Sequence, residues 1–238
     1  MIFGAVVAGG TGTRMGRIDL PKQFMLLGNK PIIMHTIEKF LLCDMFDCIV
    51  LGIHKYWIDY TKELLENYNL NNEKIFITQG GKDRNLTILN IIDFLENKFG
   101  ENENNIIVTH DAVRPFVTLR MIEENIISAE KYQACDTVVN SNDTVIYSQD
   151  KNFVSEIPDR NSIFLGQTPQ SFSMSLLKKL YLSLTQEEKD TLTDACKIFY
   201  LKNKPVKLVK GEYFNFKITT ISDYQIAQAM ISGEKFDQ

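Results

Sequence analysis

Four glycines within eight residues, Gly9, Gly10, Gly12 and Gly16, follow the apolar run Ile2-Phe3-Gly4-Ala5-Val6-Val7, with Arg14 among them and Lys22 shortly beyond. Glycine has no Cβ, so such a segment can turn tightly and let a ligand approach its N–H groups closely. A concave row of amides binds anions, phosphate above all. Arg14 and Lys22 add two cations beside that cradle, which suits a polyphosphate whose charge shifts during reaction. A flexible turn with two solvated charges is the plainer reading, but the strand-then-glycine context argues against it. Two familiar phosphate loops do not fit. No G-x-x-x-x-G-K-[ST] string occurs, and Gly10-Thr11-Gly12-Thr13-Arg14-Met15 puts methionine where a dinucleotide fingerprint needs glycine. The next apolar run, Cys48–Ile53, ends at His54-Lys55 instead of the acidic residue that would hold a ribose, which disfavours hydride transfer.

Three further groups carry chemistry-bearing residues. Gly80-Gly81-Lys82-Asp83-Arg84-Asn85-Leu86-Thr87 joins a strand-like run to a helix-like one and can place amides and side chains on a nucleotide. A glycine turn with Asp83 favoured by the helix dipole is the simpler alternative. His110-Asp111-Ala112-Val113-Arg114-Pro115 ends another apolar run with a carboxylate. Asp111 there can hold Mg²⁺ against substrate phosphates, or form an ion pair with Arg114 that shapes the turn; both can hold together. His110 reads as a packed or capping residue, since a phosphate nucleophile is already ionised and needs no general base. In Pro158-Asp159-Arg160, Arg160 is either a bidentate phosphate grip or a surface arginine. Lys217, in Asn215-Phe216-Lys217-Ile218-Thr219-Thr220, is either a solvated edge charge on a last strand or a third cation in the site.

The elements that must position these groups are legible from apolar periodicity. Ile33, Ile37, Phe40 and Leu41 form a helical stripe that Pro31 can begin. Strands are expected at Cys48–Ile53, Lys74–Thr78 and Asn105–Thr109, with helices at about 56–68 and around Ile88, Ile91, Ile92 and Leu95. This alternation predicts an α/β fold, a mostly parallel sheet with helices on both faces. Ligands of such sheets sit at the carboxyl ends of strands, where Gly9-Gly10, Gly80-Gly81 and His110-Asp111 all fall. From Val138 to about 163 the pattern changes to short β-like runs, Val138-Val139, Thr144–Tyr147 and Phe153-Val154. These form a flap, an arm that pairs with another subunit, or a plain hairpin.

Composition narrows the partners. With 238 residues, the chain has the length of one ordinary α/β domain, here 1–238 with the β excursion inserted. A net charge of −4 and no basic stripe give no case for nucleic acid. The four cysteines show no zinc-type spacing and read as buried free thiols of a reducing compartment. No secretory leader pattern or membrane-length apolar run is present, so a cytoplasmic protein is expected.

Taken together, Ala8-Gly9-Gly10-x-Gly12-x-Arg14-Met15-Gly16, Pro21-Lys22-Gln23, Gly80-Gly81-x-x-Arg84, His110–Pro115 and Gln167-Thr168-Pro169-Gln170 resemble the cytidylyltransferases of polyol phosphates across nearly the whole chain. The resemblance implies a Rossmann-like nucleotidyltransferase fold with a protruding β-arm that helps form a homodimer. It further implies CTP and a polyol phosphate as substrates, and Mg²⁺ or another divalent cation as cofactor. Val7, Ala8, Gly9, Gly10, Gly81, Lys82, Asp83, Arg84, Asn85, Leu86, Thr87 and Ala112 would bind CTP. Arg14 and Lys22 would stabilise the pentacoordinate α-phosphate and departing pyrophosphate. Arg160 and Lys217 would position the polyol phosphate, with Thr144 or Thr168 reaching its chain. Two branches compete. Thr109–Phe116, Gly166–Phe172 and Leu192–Lys197 resemble more the branch acting on D-ribitol 5-phosphate for teichoic-acid or capsule polymers, with a reductase as a candidate partner. The other branch acts on 2-C-methyl-D-erythritol 4-phosphate in isoprenoid synthesis and more often carries two alanines where Ala112-Val113 stands.

Overall fold

The computed structural model describes residues 1–10 and 20–233. In chain order its elements are β1 (Ile2–Ala8), β2 (Leu26–Leu27), β3 (Lys30–Pro31), α1 (Ile32–Leu41), β4 (Cys48–Ile53), α2 (Ile58–Asn67), β5 (Ile75–Gln79) and α3 (Arg84–Phe99). Then follow β6 (Ile106–Asp111), α4 (Leu119–Tyr132), β7 (Ala134–Asn140), β8 (Phe164–Ser173), α5 (Met174–Leu182), α6 (Gln186–Asp190), α7 (Cys196–Leu201), β9 (Lys207–Lys210) and α8 (Ile221–Ser232). The main sheet runs β5-β4-β1-β6-β8-β7-β9. Every pairing in it is parallel except those of β8, which lies antiparallel between β6 and β7. The mostly parallel α/β sheet expected from the alternation is what forms.

Side-chain alternation explains why helices cover both faces. Successive strand residues point to opposite sides, so Val6, Ala8, Ile49, Leu51, Ile53 and Val108 pack with Ile33, Ile37, Phe40 and Ile122 of α1 and α4. Phe3, Ala5, Val50 and Ile107 face the other way, onto Ile88, Ile91, Ile92 and Leu95 of α3 and onto α5 and α7. A third, small cluster of Leu27, Ile32, Val113, Ile218 and Ala227 docks α8 and the segment before it next to the end of β6. That cluster fixes the position of Lys217.

Three expectations need correction. β6 continues to Asp111, so His110 and Asp111 are its last two residues, each paired with β1. Residues 215–220 form no strand: Ile218 N–H donates to Val113 O (3.0 Å), and the buried Asn215 amide donates to Thr168 O (2.8 Å). These tethers replace a ladder, and the last strand is β9. In the β excursion, Val138 and Val139 belong to β7, while the rest has one bridge, Tyr147 with Glu156. Its tip is turned by Asp150, whose carboxylate accepts from the N–H groups of Asn152 and Phe153 (both 2.9 Å). Side-chain turns of this kind compete with strand pairing. The excursion presents Ile146, Phe153, Val154 and Ile157 to solvent, Phe153 at 77% exposure.

Candidate active site

The carboxyl ends of β1 and β6 meet the start of α3 around a cleft of about 310 Å³, within the range of small-molecule sites. Its described lining is Val7, Ala8, Gly9 and Gly10; Lys82, Asp83, Arg84 and Thr87; Asp111, Ala112 and Val113; and Lys22, Gln23 and Lys217. Lys22, Lys82, Arg84 and Lys217 outnumber Asp83 and Asp111, so the cleft favours a polyanion. Lys22 also bears on Asp223: burial raises that carboxyl, and the N–H groups of Thr220 and Thr219, with the charge of Lys22, hold it below its ordinary value.

The end of the cleft between β1 and α3 is built by close backbone approach. Asp83 caps α3 by accepting from Leu86 N–H (2.8 Å), and Thr87 Oγ1 donates to Asp83 O (2.8 Å) while accepting from Gly81 N–H (3.0 Å). This locks the 81–87 turn against β1. A Cβ on Gly9 would stand 2.6 Å from Thr87 Oγ1, and one on Gly81 2.5 Å from Leu86 Cβ and 2.7 Å from Leu86 C. Both glycines are therefore required by packing, and at Gly9, which lines the cleft, the backbone is left bare where a ligand can reach it.

Asp111 is the hub of the other end. Its Oδ1 accepts from Arg84 Nε (2.9 Å), its Oδ2 from Lys217 Nζ (2.8 Å), and Arg114 Nε stands 3.7 Å from Oδ2. Burial alone would raise this carboxyl, but Arg84, Lys217 and Arg114 outweigh it and hold Asp111 well below the usual carboxylate range. Arg114 is fixed in turn by its Nη1 donating to Asn215 O (2.8 Å). The metal expectation for Asp111 meets an obstacle. Magnesium needs one or two carboxylates with room for phosphate oxygens and waters, and here one carboxylate has both oxygens facing cations. No group of three or more His, Cys, Asp or Glu able to hold a metal occurs among the described residues. This donor set does not fit a resident metal ion. The ion-pair reading of Asp111 holds, widened from one cation to three.

His110, fully buried, braces the hub. Burial pushes its pKa down to about 4, so it is neutral at physiological pH. Its Nε2 lies 3.0 Å from Arg114 O, which can only accept, so Nε2 carries the proton and Nδ1 accepts from Thr168 Oγ1 (2.9 Å). Thr168 Oγ1 accepts in turn from Asp111 N–H (3.2 Å). Thr168 thus lies beneath Asp111, outside the described lining, and holds the end of β6 in place.

The structure brings together most residues singled out in the sequence, but not all. Arg14 lies outside the described residues. Asn85 is buried and turned to a crevice with Ile88, Leu177 and Tyr181, and Gly81, Asn85 and Leu86 are all missing from the cleft's described lining. Thr144 and Arg160 are exposed on the excursion, Arg160 Nη1 donating to Asn142 O (3.3 Å). Sequence reasoning gave no role to Gln23 or Asn215. Gln23 ends the Pro21-Lys22-Gln23 motif and Asn215 lies two residues before Lys217, yet only the fold reveals that their amides are buried against backbone carbonyls.

Comparison with known proteins places this geometry. The family model described as IspD, 2-C-methyl-D-erythritol 4-phosphate cytidylyltransferase, matches residues 2–233. The 4-diphosphocytidyl-2C-methyl-D-erythritol synthase of Anaerococcus prevotii is 28% identical over 97% of this chain and 96% of its own, with a TM-score of 0.81. The 2-C-methyl-D-erythritol 4-phosphate cytidylyltransferase of Francisella tularensis is 25% identical over 95% and 98%, with a TM-score of 0.75. The Thermus thermophilus enzyme of the same description, 19% identical over 98% and 100% at a TM-score of 0.72, shares the fold.

Proposed function

This chain belongs to the 2-C-methyl-D-erythritol 4-phosphate cytidylyltransferase family, and from that premise we propose that its cleft transfers CMP from CTP to a polyol phosphate, releasing pyrophosphate. The observation that carries the reading is the convergence of the glycine backbone of β1, the capped start of α3 and the Asp111 cation hub on one cationic cleft. The triphosphate lies along the backbone N–H groups after β1, where Lys22 meets the charge that builds on the α-phosphate and pyrophosphate. Arg14 is assigned to the same charge by resemblance. The acceptor's phosphate oxygen attacks the α-phosphorus, and the bond to the β-phosphate oxygen breaks. Lys217, held by Asp111, faces the incoming phosphate. Each preorganised cation of this kind is worth about 10²–10³ in rate. A divalent cation enters on the triphosphate, as part of the substrate.

We assign 2-C-methyl-D-erythritol 4-phosphate as the acceptor; the family model and the relatives from Anaerococcus prevotii and Francisella tularensis support it. One observation favours D-ribitol 5-phosphate instead. Val113 follows Ala112 in the cleft's lining, where the methylerythritol enzymes that the motifs resemble more often carry a second alanine. Comparing pyrophosphate release with the two acceptors separates the readings: turnover with the ribitol ester alone would replace the assigned acceptor and keep the chemistry. The exposed apolar residues of the β excursion support its role as an arm in a homodimer. In such a dimer Thr144 and Arg160 would complete the partner's cleft, which would account for their absence from the lining of their own. Among the described residues no helix is long and apolar enough to cross a membrane, and both substrates and the product are water-soluble. A partner reductase that supplies ribitol 5-phosphate is part of the ribitol reading.

A further inference from the structure

We propose that Gln23 is a positioning residue that sets the triphosphate-binding backbone by clamping it from below; the inference rests on the CTP reading above. Gln23 follows Lys22 directly, is 3% exposed, and donates from its one Nε2 to two backbone carbonyls, Ala8 O and Gly10 O, both at 3.1 Å. Both protons of the amide nitrogen are thereby committed to the backbone between the end of β1 and Gly10.

A peptide unit is planar and trans, so its C=O and the following N–H point in opposite directions. With the Ala8 carbonyl turned to Gln23, the Gly9 N–H faces away from it. Glycine on its own would leave this orientation free, since Gly9 and Gly10 lack the Cβ that restricts φ and ψ. The clamp removes that freedom, and the same residue's backbone is continuous with Lys22, so amide cradle and cation are set as one unit. A turn of Lys22–Phe24, closed by Phe24 N–H to Pro21 O (2.9 Å), anchors Gln23, while Phe24 is buried against Trp57 and Tyr60. A carboxylate there would face two carbonyl oxygens.

The test compares Gln23→Met, which keeps length and removes both donors, with Gln23→Glu, which restores one donor only when protonated. Readouts are CTP affinity by calorimetry without acceptor, the KM of each substrate, and the melting temperature. Losing two neutral hydrogen bonds predicts about a 30-fold loss in CTP affinity or kcat/KM for CTP in Gln23→Met. The KM of the polyol phosphate should stay within about twofold. Gln23→Glu should recover part of its CTP binding as pH falls from about 8 to about 5.5, towards the carboxyl's protonated range, where Gln23→Met does not. Unchanged CTP affinity in Gln23→Met, or equal loss towards both substrates with no pH recovery in Gln23→Glu, overturns the inference. Wild-type protein that binds no CTP at all would instead overturn the functional reading, and the inference with it.

Discussion

Replacing Asp111 with asparagine would remove the one negative charge that Arg84, Arg114 and Lys217 share, while keeping the size of the side chain. In the native site the carboxylate accepts from Arg84 and Lys217 at 2.9 and 2.8 Å. An amide can accept from one of them, and its NH₂ then confronts the N–H groups of another. Breaking a buried ion pair costs about 3–5 kcal/mol. Lys217 is 35% exposed and recovers solvation, whereas Arg84 and Arg114 are 18% and 11% exposed, so the lower end, about 3 kcal/mol, applies. For a chain of this length each kcal/mol lowers Tm by about 2–4 °C, which predicts a drop of about 6–12 °C by calorimetry at pH 7. The pH dependence adds a check. A carboxyl depressed on folding contributes stability above its unfolded pKa, and that contribution is lost only as pH falls through its folded value. The folded value lies well below the usual range, so the gap between wild type and variant should be constant from about pH 5 to 8 and shrink only in stronger acid. A Tm loss under about 2 °C, or a gap that closes between about pH 8 and 6, would refute the account of the hub.

Two other predictions concern the second face of the sheet and the arm. Asp136 on β7 is half-buried, accepts from Gln170 Nε2 (3.0 Å), and is pushed up to about 6, mainly by burial. A carboxyl raised on folding costs stability once pH exceeds its unfolded value near 4, so Asp136→Asn should gain on wild type by about 2 kcal/mol more at pH 7.5 than at pH 4.5 in urea unfolding; an equal difference at both would show that Asp136 is not so raised. If the arm completes its neighbour's cleft, Lys22→Ala and Arg160→Ala proteins, each inactive alone, should regain about a quarter of wild-type activity when refolded together in equal amounts, since half the dimers would be mixed and hold one intact site. Failure of the mixture to exceed either parent would place Arg160 at its own subunit's cleft and refute the arm's role in the neighbour's site.

Much of this was legible before the fold because apolar periodicity and glycine placement are local signals. Apolar runs in β1, β4 and β6 predicted the strands that form, and strand-end glycines predicted where Gly9 and Gly81 meet. What was not legible depends on contacts distant in sequence. Asn215–Thr220 alternates like a strand, yet its backbone and Asn215 side chain are spent on Val113 and Thr168, far away in the chain. Asp111 read as a metal ligand, an ion-pair partner or both until Arg84, 27 residues earlier, and Lys217 were seen to converge on it. Thr168 belonged to a motif that resemblance linked to substrate, but its hydroxyl is committed to His110 and the Asp111 amide.

The most direct test of the central claim is to follow both halves of CTP in one reaction, with CTP labelled at the α-phosphorus, Mg²⁺, and 2-C-methyl-D-erythritol 4-phosphate in parallel with D-ribitol 5-phosphate. The account predicts that the label moves into an organic diphosphate product, in step with one pyrophosphate released per transfer, and that it does so with the methylerythritol ester. Label recovered as CDP beside inorganic phosphate, or left in CTP with both acceptors, would contradict it.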